Sequence, residues 1–167
     1  KSKLFSTKDF SLPTMIALPD GHPLSNHKVL TPNDLDSIPF STFLPEHHLT
    51  VQLRAAFENV DARLNIPFFL QNAAGQYAIV ENGHSVGFMS LLSVWLYQQN
   101  WNSRSSNKII FRPFWPQIYQ NVSLIIPKHR TLPQISQLFI EKLERSVSDI
   151  LTATKSKFQL DDSEEPN

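Results

Sequence analysis

The chain has 167 residues, 41% of them hydrophobic, and its 15 basic and 15 acidic side chains cancel. A neutral balance provides no net field that would draw it to a phosphate backbone or an anionic membrane, so by itself the chain is not expected to bind DNA. The absence of cysteine excludes disulfides, thiolate metal sites and a cysteine nucleophile.

Lys1–Leu12 has no signal-peptide pattern, and no segment reaches the roughly 20 apolar residues that span a bilayer, so a cytoplasmic location is expected. Four glycines accompany twelve prolines, which implies few left-handed turns and many connections fixed at X-Pro. Thr14–Leu18 is a short apolar run ended by Pro19-Asp20-Gly21, a strand followed by a turn. Thr31 as cap and Pro32 in the first turn predict a helix of one or two turns within Val29–Asp36. Ile38–Leu44 is apolar and confined by Pro39 and Pro45, as in a short buried strand.

Leu49, Leu53, Ala56, Phe57 and Val60 share one helical face. Asn65–Leu70 reads as a strand, with Asn72 as N-cap of a helix that stops near Gly83. Ser85–Ser90 reads as the next strand, in which Gly87 signals close approach by another backbone or a ligand. Leu91–Trp101 is helical by composition, and Asn102–Asn107 is a surface connection. Lys108–Phe114 and Asn121–Pro127 are β-branched runs, two strands or one bent one. Thr131 and Gln134 have the spacing of a capping box, followed by Ile135, Leu138, Phe139, Leu143, Val147 and Ile150 on one face. Residues 152–167 read as a disordered polar tail. Alternating strands and helices predict an α/β fold with a largely parallel sheet.

Leu18-Pro19-Asp20-Gly21-His22-Pro23-Leu24 resembles the "LPxGHPLA" segment of the effector domains of LysR-type transcriptional regulators. Leu30–Leu35 is similar to that family's "vtpaDL", Pro39–Phe43 to its "PFI" strand, and Leu53–Phe57 to the helix that opens its second lobe. Val80–Gly87 resembles "VAAGLGVG", Phe111–Phe114 with Val122–Ile125 the return crossing, and Pro133–Leu143 the closing helix. Each segment is weak alone, but their order and spacing agree over about residues 10–150.

The resemblance implies a type 2 periplasmic-binding-protein-like α/β fold, with a small effector held between two lobes. It assigns 1–45 to a first-lobe remnant and crossing strand, 46–114 to a complete second lobe, 115–151 to the return crossing and closing helix of the first lobe, and 152–167 to the tail. The family's first lobe starts with a strand and helix block that nothing upstream of Lys1 supplies. The strand at Thr14–Leu18, the strand near Val122 and the helix from Leu132 are therefore expected to expose apolar surface and to associate.

Carried over by resemblance, the effector-binding residues are Ser41 and Thr42 on the crossing strand, Gln71 and Asn72 at a helix N-terminus, and Ser90 at a strand end. Uncharged donors of this kind suit a carboxylate. Asn72 as a plain cap and Thr42 as a plain strand residue remain open alternatives. Arg112–Phe114 and His129-Arg130 are similar to regulators of opine catabolism, which implies an amino-acid-like effector.

The partners implied are that effector, further copies of the chain in a dimer or tetramer of the full-length protein, and DNA only through a helix-turn-helix head outside this sequence. No cofactor is expected. Glu46-His47-His48 reads as a solvated loop, because adjacent histidines do not converge on one ion. His84-Ser85 replaces the family's Leu-Gly turn and reads as a surface substitution. Trp95, Trp101 and Trp115 read as core or dimer contacts. An enzyme is not expected, since no G-x-S-x-G, H-E-x-x-H, phosphate loop or dinucleotide fingerprint occurs. A solute-binding transport protein of the same fold is the alternative reading.

Overall fold

A computed structural model describes residues 5–100, 108–129 and 131–158. The expected connection Asn102–Asn107, Trp101 and residues 159–167 lie outside the described residues. The strands are β1 (Phe5–Pro19), β2 (Pro39–Phe43), β3 (Asn65–Leu70), β4 (Val86–Ser90), β5 (Ile109–Pro113) and β6 (Tyr119–Pro127). The helices are α1 (His48–Glu58), α2 (Ala73–Glu81), α3 (Leu91–Asn100) and α4 (Gln134–Phe158), with a 3₁₀ turn at Pro23–Asn26.

The strand order is β3-β2-β4-β1-β5, with β6 paired to β1. β2 runs parallel to both β3 and β4, while β1 runs antiparallel to β4, β5 and β6. The sheet is therefore mixed rather than largely parallel, because one long strand runs against its neighbours. Thr14–Pro19 of β1 sits between β4 and β5. Phe5–Pro13 leaves that sheet and pairs residue for residue with β6 as a two-stranded ribbon. The sequence shows only the buried end of this strand, since Phe5–Ser11 has no fully buried position and carries Lys8 and Asp9. Pro39–Phe43, expected as a crossing strand, is instead interior to the sheet with both edges paired. The strand that crosses from ribbon to sheet is β1.

Period-2 alternation sends β1 and β4 side chains to two separate cores. Ile16, Leu18, Phe40, Val86 and Phe88 meet Leu49, Leu53, Ala56 and Phe57 of α1 on one face. Met15, Ala17, Met89 and Phe111 meet Tyr77 and Val80 of α2 and Val94 and Tyr97 of α3 on the other. Gly87 allows α2 to sit close, since a Cβ there would lie 3.1 Å from Val80 Cγ2 and 3.3 Å from Ala17 Cβ. The close approach expected at Gly87 is made by side chains of its neighbours. Tyrosine and phenylalanine rings fill these cores, whereas Trp95 and Trp115 are only half-buried.

Three local expectations change. The short helix expected within Val29–Asp36 is a run of turns, held by Asp34, whose carboxylate accepts from Thr31 N at 2.8 Å and Thr31 Oγ1 at 2.7 Å. α4 begins at Gln134, and the carbonyl that accepts its first amides is that of Pro133, so Thr131 and Gln134 do not form the capping box. α4 then continues through Phe158 into the stretch expected as tail, because Val147, Ile150, Leu151 and Phe158 pack on the second core and Thr154 is buried.

The N-terminal half of α4 and β6 are different. Ile135 is 73% exposed, Phe139 61% and Ile125 61%, and Val122 and Leu138 are exposed as well. A groove of about 390 Å³ between β6 and α4 is lined by Leu124, Ile126, Leu132, Ile135 and Phe139. The apolar exposure expected on Val122 and the closing helix is present. Thr14–Leu18 is instead fully buried, paired on its edges by β4 and β5 and covered on its faces by the two cores.

Candidate functional site

The carboxyl ends of β2, β3 and β4 lie on one edge of the sheet, and the N-termini of α1, α2 and α3 start from that edge. The connection from β2 goes through α1 to β3, while that from β3 returns through α2 past β2 to β4. Because α1 and α2 cover opposite faces, the gap between β2 and β4 is a topological switch point. In open α/β sheets such a gap is where ligands bind.

Thr42, Gln71, Asn72 and Ser90 lie at or next to this edge, and Ser41 lies mid-strand in β2, opposite Phe68 and Gly87. Ser41 is fully buried and donates to Val86 O at 3.2 Å. Thr42 is fully buried, 3.3 Å from Thr50 Oγ1. Thr50 donates its one hydroxyl proton to Phe43 O at 3.0 Å, so Thr42 is the donor to Thr50. Ser90 is buried, with its hydroxyl 3.3 Å from that of Ser93. Gln71 and Asn72 are exposed. Asn72 is the N-cap of α2, its Oδ1 accepting from Gly75 N at 3.0 Å. The three hydroxyls are thus engaged within the protein, and Gln71 is the freest polar group of the set.

Gln71 joins Phe43, Leu44, Glu46, His47 and Leu70 around a cavity of about 170 Å³. Glu46 and His47 form the turn that leads into α1, and His47 is half-buried rather than solvated. It is the N-cap of α1, its Nδ1 accepting from Leu49 N at 3.3 Å, and its ring stacks on Phe43 with centroids 4.6 Å apart. Burial, and then the neighbouring His48, hold its imidazole below the ordinary value of 6.5. The shift favours the neutral imidazole, the form whose Nδ1 can accept. Among the described residues no group of His, Cys, Asp and Glu could hold a metal ion. His84 is exposed, as expected of a surface substitution, and the preceding Gly83 takes the left-handed turn with φ +73°. Ser85 beside it is buried.

Sequence reasoning missed Gln76. It is fully buried, and its Nε2 donates to Ser41 O at 3.3 Å and Phe88 O at 3.4 Å, spanning the switch point. The signal was an amide one turn before Val80, on the face that α2 buries. Where β1 and β6 leave the sheet, Thr14 N and Oγ1 both donate to Ile118 O at 2.9 Å, and Gln117 Nε2 donates to Thr14 O and Ile118 O. That clasp joins the two crossing segments.

The LysR substrate binding domain family matches residues 1–148. The chain belongs to this family. It is 25% identical over 147 residues to the transcriptional activator protein LysR of Escherichia coli K12, covering 88% of the chain and 45% of that protein. A putative LysR family transcriptional regulator from Pseudomonas aeruginosa, the PA01 protein, superposes with a TM-score of 0.68 at 13% identity, over 89% of this chain and 51% of the other. The CcmR regulatory domain of Synechocystis PCC6803, solved in complex with 2-PG, superposes with a TM-score of 0.64 at 13% identity, over 88% of this chain and 69% of the other. The fold is that of the type 2 periplasmic-binding-protein-like effector domains. The chain spans about half the length of the E. coli protein it matches.

Proposed function

We propose that the chain is the effector-sensing domain of a bacterial LysR-type DNA-binding transcriptional regulator. It binds a small carboxylate or amino-acid-like metabolite at the carboxyl edge of the sheet, between two lobes. The observation that carries the reading is the switch point itself. Ser41 and Thr42 on β2, Gln71 and Asn72 at the start of α2, and Ser90 at the end of β4 belong to the elements that flank it, in the family whose CcmR member was solved with 2-PG. The helix N-termini at this edge present free amides, which favour a small anion. Ser41, Thr42 and Ser90 shape this pocket through their backbone, and Gln71 and Asn72 present side chains to it.

The strand pairing favours a lobe division across Pro13 and Ile118 rather than at residue 45, since β2 belongs with β3 and β4. In the whole regulator, contact with DNA falls to a helix-turn-helix part outside these residues, in keeping with the zero net charge here. The regulator works in the cytoplasm as a dimer or tetramer, and no catalytic step is assigned. Thermal unfolding against a panel of amino acids, opines and small carboxylates tests the reading. A true effector at 100 times its dissociation constant adds about 2.7 kcal/mol. A panel that shifts nothing would contradict it.

A further inference from the structure

β5 is the end strand of the sheet, and a cavity of about 370 Å³ is lined by its residues together with the last turns of α3 and α4. It lies away from the carboxyl edge. Ser90, at the end of β4, pairs with Thr14 of β1, whereas the cavity residue Ile109 pairs with Pro19, five positions further along and roughly 17 Å away at about 3.4 Å per residue. Three cations line this cavity, Lys108, Arg112 and Lys157, against one acid, Asp20. Among the described residues none of these four forms an ion pair. Arg112 is half-buried and held in place, its Nε donating to Ser25 O at 3.0 Å, its Nη2 to the same oxygen and its Nη1 to Phe111 O at 2.8 Å. All of these acceptors are neutral carbonyls, and two of the five guanidinium N–H groups are left over.

A guanidinium oriented by neutral groups and lacking a counter-charge is prepared for a planar or tetrahedral oxyanion, and two lysines beside it add point charges. The rest of the wall is apolar. Ile109 and Phe111 are buried there, and Lys157 Nζ lies 5.4 Å from the centroid of the Phe158 ring. We propose that this cavity is a second ligand site, for a phosphate monoester that carries a small apolar group. The phosphate sits among Lys108, Arg112 and Lys157, and the apolar group lies against Phe111 and Phe158. Three positive charges and one negative match the nearly two negative charges of a phosphate monoester at neutral pH, whereas a monocarboxylate leaves one cation unmatched. The volume is at the small end for ligand pockets, which limits the apolar group to about the size of one ring. The site is independent of the effector reading above.

Calorimetric titration of the full chain with phenyl phosphate and with benzoate, at about 0.15 M salt to screen surface attraction, tests the proposal. Phenyl phosphate should saturate one site and bind about tenfold tighter than benzoate. Lys108→Gln with Lys157→Gln, both exposed, should weaken it about tenfold, roughly one charge-assisted contact's worth. Lys28→Gln with Lys142→Gln removes the same charge from exposed positions outside the cavity and should stay within twofold. In ¹⁵N-labelled chain the amide shifts should fall on Lys108–Arg112 and Lys157, with Gln71–Gln76 unmoved. No saturable binding of phenyl phosphate, equal binding of benzoate, or equal losses in the two double variants would overturn the proposal. So would shifts at Gln71–Gln76 instead, which would put the probe at the carboxyl edge. Binding seen only after Asp161, Asp162, Glu164 and Glu165 are changed to amides would assign the cations to the chain's own carboxylates and overturn it too.

Discussion

The half of the molecule around β2, β3 and β4 and the half formed by the β1–β6 ribbon with α4 use similar amounts of apolar sequence and achieve different burial. In the first, β1 and β4 feed two cores, one per face, and side chains as large as Phe40, Phe57 and Phe88 lose all contact with solvent. In the second, α4 is strongly amphipathic, yet Ile135 and Phe139 face outward and only its C-terminal half reaches a core. Amphipathic patterning specifies a helix and its face. It does not say that the chain supplies something to cover that face.

The comparison breaks first on truncations to alanine. Phe88 is fully buried and meets Phe114 edge-on with ring centroids 5.6 Å apart, so Phe88→Ala should cost about 3–5 kcal/mol in denaturant unfolding. Ile135→Ala should stay within about 0.5 kcal/mol. Equal losses would mean that α4 is covered in solution. Asn72→Ala removes the cap of α2 at the edge of the well-packed half and should cost about 1 kcal/mol, with the midpoint moving and the denaturant slope unchanged.

The smallest effect is in pH. His22 and His47 both cap through an accepting Nδ1, and burial lowers both imidazoles below 6.5. The unfolded chain therefore binds more protons than the folded one in that range. Their contribution is fully present above about pH 6.5 and declines as pH falls through the lowered folded values. Unfolding midpoints of the wild type and of His47→Asn at pH 7.5 and 5.5 check this. The loss on acidification should be smaller in the variant, because asparagine caps without titrating.

What the sequence made legible follows the same division. Asn65–Leu70 is β3 to the residue, the N-cap at Asn72 is as expected, and so is the apolar face of α1 except for Val60, which lies past the helix end and is exposed, because these depend on local pattern and on a closed core. The first nine residues of β1 were invisible. Their order comes from a ladder to β6 more than 100 positions away, and a solvated ribbon carries no strict alternation. β2 was placed in the right element but the wrong neighbourhood, since a five-residue run between prolines does not state which strands flank it. At the site, position along the chain found the edge residues at strand ends and at the cap. Gln76 needed the fold, because a glutamine on a helix reads as solvent-facing until the strands beneath it part.

The most direct test of the account is to add the strongest binder from the ligand panel to ¹⁵N-labelled chain and follow the backbone amides. Effector binding at the switch point predicts shifts concentrated at Thr42, Phe43, Gln71–Gln76 and Ser90–Leu92, with Ile125 and Ile135–Phe139 unmoved. Shifts confined to β6 and the first half of α4 would contradict it, and would mean that the exposed apolar groove, not the carboxyl edge of the sheet, takes the ligand.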